Sequence, residues 1–262
     1  MVIQVPSGKL TPVEQSLVEH VRSGEWLDLT VSRGEVLDEA AMRSWGESRT
    51  ISAAVIRDIL RGRLAADPDP HGVQLRGTRI SGRLDLENLT TDVNLELRDC
   101  FLEEGLLARG ARLAAVALTR CQLEHPADPP LDAARLTCRA LDLTGTRITG
   151  HATAGAVNLR GAHIDGSLDC DGANLRNDSG PALSADDLQV GQGVNLRNGF
   201  TATRTSTRTF LPTGSPGAVR LTGAHIGGSL DCTEASLSSD SGPALSASGV
   251  QVGLTMFLRR GR

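Results

Sequence analysis

The chain contains no tyrosine, and aromatic residues of all kinds make up 2% of its 262 residues. A core built from it must be filled by Leu, Val, Ile and Ala, which suits thin, regular packing better than a bulky globular interior. The same shortage removes the stacking platforms on which single-stranded nucleic acids are held. Lys9 is the only lysine, so the basic side is carried by arginine. Net charge is −4 and the pI about 5.9, so no overall positive field recruits nucleic acid. No CxxC pair occurs. Cys100, Cys121, Cys138, Cys170 and Cys232 are odd in number and widely spaced, which speaks against a disulfide framework or a zinc ribbon and for buried thiols in a reducing compartment. No run approaches the ~18 apolar residues of a membrane-spanning helix. The opening "MVIQVPSGKLTPVEQ" lacks the apolar core of a secretory signal. The expected location is therefore cytoplasmic, with no membrane span.

Catalytic signatures are missing too. There is no Walker A loop, GxSxG elbow or HExxH helix. "GQGVNL" at 191–196 lacks the third glycine of a dinucleotide fingerprint and opens no helix.

What is present begins with helices. In "TPVEQSLVEHVRSGEW", Thr11 is placed to cap, Pro12 suits the first turn and Glu14 completes a capping box. Leu17, Val18 and Val21 share one face and Gly24 is a stop signal. "SAAVIRDILRG" predicts a second helix with Ser52 as cap, Val55, Ile56, Ile59 and Leu60 as buried stripe, and Gly62 past its end. A short helix around Asp38–Ser44 fits between them. Residues 1–66, which hold Trp26 and Trp45, are expected to form a helical cap, because a solenoid needs its open end covered.

From about residue 72 the chain repeats. Residues 157–193 align without gaps to 219–255 at an offset of 62, with 24 of 37 positions identical. Weaker copies begin at Val73, "VQLRGTRISGRLDLENL", and at Leu141, "LDLTGTRITG". Within a copy, Leu159, Ile164, Cys170 and Leu175 are spaced 5, 6 and 5 residues apart. A helix wants a period near 3.6 and a plain strand a period of 2. A step of about five residues, with Ala162 and Ala173 two before Ile164 and Leu175, fits a chain that turns a corner after every short strand, so that four sides make one coil and coils pair every ~4.8 Å.

On the motifs "VNLRGAHI", "DGANL", "TEASL" and "VRLTGAHI", residues 72–262 resemble the pentapeptide-repeat β-helix family. The resemblance implies a mainly β fold, a right-handed quadrilateral parallel β-helix behind the helical cap. Six-residue steps, "GSLDC" and the "SGPALSA" segments depart from a strict five-residue count, which leaves a looser right-handed parallel β-helix as the alternative. Some similar sequences carry the label membrane-associated oxidoreductase, yet no residue of this chain supports that chemistry. DNA mimicry, known for some members of the family, needs a strongly acidic rod.

Two segments interrupt the pattern. "EHPADPPL" at 124–131 is proline-rich and is expected as an external loop, and "NGFTATRTSTRTFLPTGSPG" at 198–217 as an excursion. Removing about 20 residues from the 62-residue offset leaves two coils of about 21. The last residues, "MFLRRGR" at 256–262, align with "VNLRNGF" at 194–200, so the repeat stops part-way. The expectation is either truncation relative to similar chains or a C-terminal end that meets a partner.

The chemically suggestive residues are His163, Asp169 and Cys170, echoed as His225, Asp231 and Cys232. One zinc ion needs four convergent ligands at ~2.0–2.3 Å, and two coils at ~4.8 Å each hold the sets about 10 Å apart. Cys170 takes the apolar place of Leu86 and reads as core, whereas His163 aligns with Arg79 and Arg147 at an outward position. Arg76, Arg160, Arg197 and Arg259 recur after Leu and are expected in a solvated basic stripe interleaved with Asp and Asn. No catalytic, cofactor-binding or metal residue is assigned. The expected function is a non-catalytic scaffold or protein-interaction surface, with a protein partner or self-association through a β-helix end. The alternatives are an oxidoreductase and a DNA mimic or nucleic-acid-binding β-helix.

Overall fold

The computed structural model describes residues 10–30, 35, 37–205 and 217–259. Its strands are short, from two residues at Leu27–Asp28 to five at Ala115–Thr119, and they fall into four sheets of 9, 8, 7 and 5 strands. The nine-stranded sheet, face 1, runs from Leu27–Asp28 to Met256–Phe257. Face 2 runs from Thr50–Ser52 to Ser236–Ser239, face 3 from Leu84–Asp85 to Leu245–Ser246, and face 4 from Thr137–Cys138 to Gln251–Val252. The chain visits the four faces in turn and returns to the first one rung higher, so every strand pairs in parallel with its counterparts in the neighbouring coils. The result is a mainly β, four-sided solenoid of about 8 turns.

The irregular apolar spacing has a direct cause. Leu159, Ile164, Cys170 and Leu175 lie at or beside strands of faces 3, 4, 1 and 2, and all are fully buried. Each side of the coil thus contributes an inward side chain, and a step of five or six residues is the length of one side with its corner. Stacked coils merge these side chains into one continuous cluster running from Leu17 to Cys232. Burial of that aliphatic surface drives folding.

Two corners are built from left-handed residues stacked in columns. Between faces 1 and 2 these are Gly77, Asp99, Arg120, Gly145, Gly172, Asn198 and Glu234. Between faces 3 and 4 they are Asn88, Gly110, Arg135, Gly161, Asp187, Gly223 and Gly249. At Gly161 (φ 63°) the turn closes with a 3.0 Å bond from the Ala162 amide to the Leu159 carbonyl, and a positive φ at the third residue is what a type II turn demands. Each coil therefore contains two similar half-coils. The upstream motifs at Val73 and Leu141 form the first corner, whereas both "GAHI" copies form the second. Cys170 consequently shares its inward column with Leu143 and Leu196 on face 1, while Leu86 belongs to the face 3 column.

Coil length is not uniform. Val73 pairs with Leu95 and Leu95 with Val116, advances of 22 and 21 residues. Later rungs are longer: Leu168 to Val194 advances 26, Val194 to Leu230 advances 36, and Leu230 to Met256 advances 26. The extra residues enter at the corner between faces 2 and 3, where Ser81 and Leu84 are three apart but Asn177 and Leu183 six apart. The 62-residue offset is thus one coil of 26 and one of 36, rather than two of about 21. Part of the expected 198–217 excursion is a regular face 2 strand, Thr201–Arg204. Residues 206–216 of it lie outside the described residues. Residues 125–130 do form a connection between strands Gln122–Glu124 and Leu131–Asp132.

Helices α1 (Pro12–Ser23) and α3 (Ala53–Leu60) pack onto the N-terminal end of the core, whereas α2 (Glu39–Arg43) lies against the outside of face 2. Helix α1 has the expected capping box: the Glu14 amide donates to Thr11 Oγ1 at 3.3 Å and the Thr11 amide to Glu14 Oε2 at 2.9 Å. Glu14 Oε1 also accepts from the Ser52 amide at 3.1 Å, which ties α1 to the start of α3. This region supplies strands as well as helices, since Leu27–Asp28 and Thr50–Ser52 begin faces 1 and 2. Trp45 packs with Met42 and Phe101 and carries the Arg49 guanidinium 4.2 Å from its ring centroid. Trp26 holds Arg98 at 4.4 Å in the same way.

Candidate interaction surfaces

The doubled His, Asp and Cys residues are separated by the sheet walls. His163 and His225 stand exposed on the outside of face 4 in one column with Gln189 between them. His163 Nδ1 lies 3.1 Å from Gln189 Oε1 and Nε2 3.1 Å from Asp165. Cys170 and Cys232 point inward at face 1, with Leu196 between them, and are at most 5% exposed. Asp169 and Asp231 face outward there, and Asp231 is 3.7 Å from Arg197. The structure thus brings neither His to either Cys. Among the described residues no group of three His, Cys, Asp or Glu side chains is placed to hold a metal ion.

The thiols behave as core groups. Burial pushes the Cys138 thiol up to about 12 and the Cys232 thiol up to about 11, in each case helped by a neighbouring aspartate, Asp165 or Asp231. Burial raises Cys170 further still. Such thiols stay protonated and are poor nucleophiles.

The recurrent arginines belong to two corners rather than one stripe. Arg76, Arg197 and Arg259 follow face 1, whereas Arg160 follows face 3. Those with partners are neutralised by aspartates of neighbouring coils: Arg76 by Asp99 (2.9 Å) and Asp28 (3.2 Å), Arg197 by Asp171 (3.0 Å), Arg160 by Asp186 (3.9 Å). Exposed pairs of this kind contribute little individually.

Three surface features were not legible from motifs. The first is a groove of about 420 Å³ on the outside of face 2, where Arg147, Asn174 and Arg176 of adjacent coils meet His151 and Asp178 at the corner. His151 Nδ1 is 2.6 Å from Asp178. Burial alone raises the Asp178 carboxyl, but hydrogen bonds from His151 and Ser179 outweigh it and hold it below its ordinary 3.8. The second is a shallow trough on face 4 beside His163, Gln189, His225 and Gln251, flanked by the stacked Gly191, Gly227 and Gly253. A Cβ at Gly191 would meet the Asp165 carbonyl oxygen at 2.1 Å, so close stacking of the backbones requires glycine there. The third is the C-terminal rung, where Leu254, Met256, Phe257 and Leu258 are 77, 39, 36 and 59% exposed. Alternation of outward side chains across paired coils creates the groove, and residues 29 apart, such as Arg147 and Arg176, become neighbours only once the register is known.

Among the described residues no helix is long and apolar enough to cross a membrane. Comparison with protein-family models, curated proteins and solved structures finds no match.

Proposed function

We propose that the chain is a non-catalytic scaffold or protein-interaction protein of the pentapeptide-repeat type that displays side chains from the faces of its coils. One observation carries this reading: parallel pairing on all four faces stacks outward side chains in columns, such as His163, Gln189 and His225 on face 4. The described apolar side chains are mostly drawn into the core, and the arginines that follow the faces are largely matched by aspartates. The rigid coils display side chains at ~4.8 Å spacing, while the helical N-terminal end stays closed. The resemblance of "VNLRGAHI" and "VRLTGAHI" to pentapeptide repeats supports the family reading, because both motifs form one corner with its inward apolar neighbours.

The absorption spectrum of the purified chain tests the reading against an enzyme. Absence of bound flavin or nicotinamide bands is the expected result, and a stoichiometric cofactor band overturns it.

A further inference from the structure

The groove on face 2 contains two arginines that form no ion pair among the described residues. Arg147 and Arg176 are exposed, stand in adjacent outward columns of neighbouring coils, and make no ion pair among the described residues. The corner arginines differ, since Arg76, Arg109, Arg120 and Arg197 are each paired with an aspartate. The carboxylates that border the groove are engaged already, Glu124 with Arg43 and Asp178 with His151. With ~4.8 Å between coils and ~3.3 Å per residue along a strand, the two arginine backbones are on the order of 8 Å apart. Two flexible guanidinium arms at that distance can converge on one carboxylate, for which their planar donor fork is suited.

We propose that this groove binds an acidic saccharide, a short sugar chain bearing carboxylates. The rest of the lining selects that class among anions. Gln122, Asn174 and Thr149 offer both donors and acceptors. Sugar hydroxyls use both kinds, whereas a phosphate or sulfate dianion brings no donor for the acceptors. No aromatic ring lines the groove, which removes the stacking that holds nucleobases. The groove draws on four successive coils, through Gln122, Arg147, Asn174 and Thr205, a length on the order of 14 Å at ~4.8 Å per coil. Its floor is preorganised because Arg147–Gly150 and Asn174–Asn177 are paired on both sides, so little ordering cost attends binding.

Isothermal titration calorimetry of the full chain with trigalacturonate, maltotriose and inorganic phosphate at one ionic strength tests the assignment. Saturable binding of trigalacturonate is expected, with no heat from maltotriose and at least ~10-fold weaker binding of phosphate. Loss of a charged hydrogen-bonding partner predicts that Arg147→Gln and Arg176→Gln each weaken binding by ~10-fold or more. Arg61→Gln, an exposed position at the end of α3, should leave it unchanged. Both groove arginines are exposed, so the variants should keep the wild-type melting temperature, which a thermal scan verifies. Absence of trigalacturonate binding, phosphate binding of equal strength, or an undiminished affinity in the Arg147→Gln/Arg176→Gln double variant overturns the proposal.

Discussion

Cys121 lies directly above Cys100 in the core, one coil on, because Gln122 pairs in register with Phe101. Both thiols are fully buried, and each donates to carbonyl oxygens of the wall: Cys121 Sγ to Leu97 at 3.3 Å, Cys100 Sγ to Arg98 at 3.1 Å. Thr78 and Thr146 continue the same inward column, and the Thr146 hydroxyl donates to the Leu118 carbonyl. The site accepts a small side chain with one donor. Cys121→Thr is therefore expected to change stability by less than ~1 kcal/mol, and Cys121→Leu to destabilise by ~1–3 kcal/mol through overpacking. Urea denaturation distinguishes the two, and equal costs would refute the packing account.

Thiols held neutral by burial make stability depend on alkaline pH. The Cys138 and Cys232 thiols sit at about 12 and about 11 in the folded chain against an ordinary value of 9.0. A raised value means the folded state keeps protons that the unfolded state gives up. The contribution is complete below about pH 9 and is lost as pH rises through the folded values. The urea midpoint should fall between pH 8 and pH 10.5, and thiol reagents at pH 7.5 should label cysteines only after unfolding. Rapid labelling of the native protein would contradict this.

Asp99 clamps three coils. It is 4% exposed and accepts from Arg76 Nε at 2.9 Å and from Arg120 Nε at 2.7 Å, arginines of the coils on either side. Burial by itself raises its carboxyl, but the hydrogen bonds from Arg120 and Arg76 prevail and hold it below 3.8. A lowered value gives stability that is present above about pH 3.8 and is lost as pH falls. Asp99→Asn tolerates the left-handed backbone but gives up the charge, and should cost ~1.5–3 kcal/mol at pH 7. That cost should shrink when the measurement is repeated near pH 3. A pH-independent difference would assign the effect to shape instead.

Much of the coil was legible because one physical requirement wrote it repeatedly. Each side needs an inward apolar residue and each tight corner a left-handed residue, so Leu159, Ile164, Cys170 and Leu175 revealed the four-sided cross-section before any pairing was known. Coil length was harder to read. A half-coil such as Val73 to Leu84 resembles its partner so closely that corner 1–2 and corner 3–4 motifs align with each other. The insert between Asn177 and Leu183 carries no signal that distinguishes it from a side. The arginines looked like a stripe because their spacing is regular, but Arg160 lies on a different corner from Arg76 and Arg197. The groove was invisible because its members are joined only by register.

Glycine is required in this fold for two separable reasons, and two positions isolate them. At Gly161 the backbone is left-handed (φ 63°), but a Cβ would find only Arg135 Cγ at 3.7 Å, an ordinary contact. Gly161→Ala should therefore cost only the conformational penalty, ~1–2 kcal/mol. At Gly191 the obstacle is space, since a Cβ would approach the Asp165 carbonyl oxygen to 2.1 Å. Its amide donates to the Ile164 carbonyl at 2.8 Å, so the coil cannot retreat without losing a rung bond. Gly191→Ala should cost more than Gly161→Ala. The reverse exchange completes the argument: Arg135 occupies the same corner column at φ 56°, so Arg135→Gly should relieve strain and be neutral or stabilising by up to ~1 kcal/mol. Chemical denaturation of the three variants gives the order directly, and a Gly161→Ala cost equal to or above that of Gly191→Ala would show that stacking distance does not govern this face.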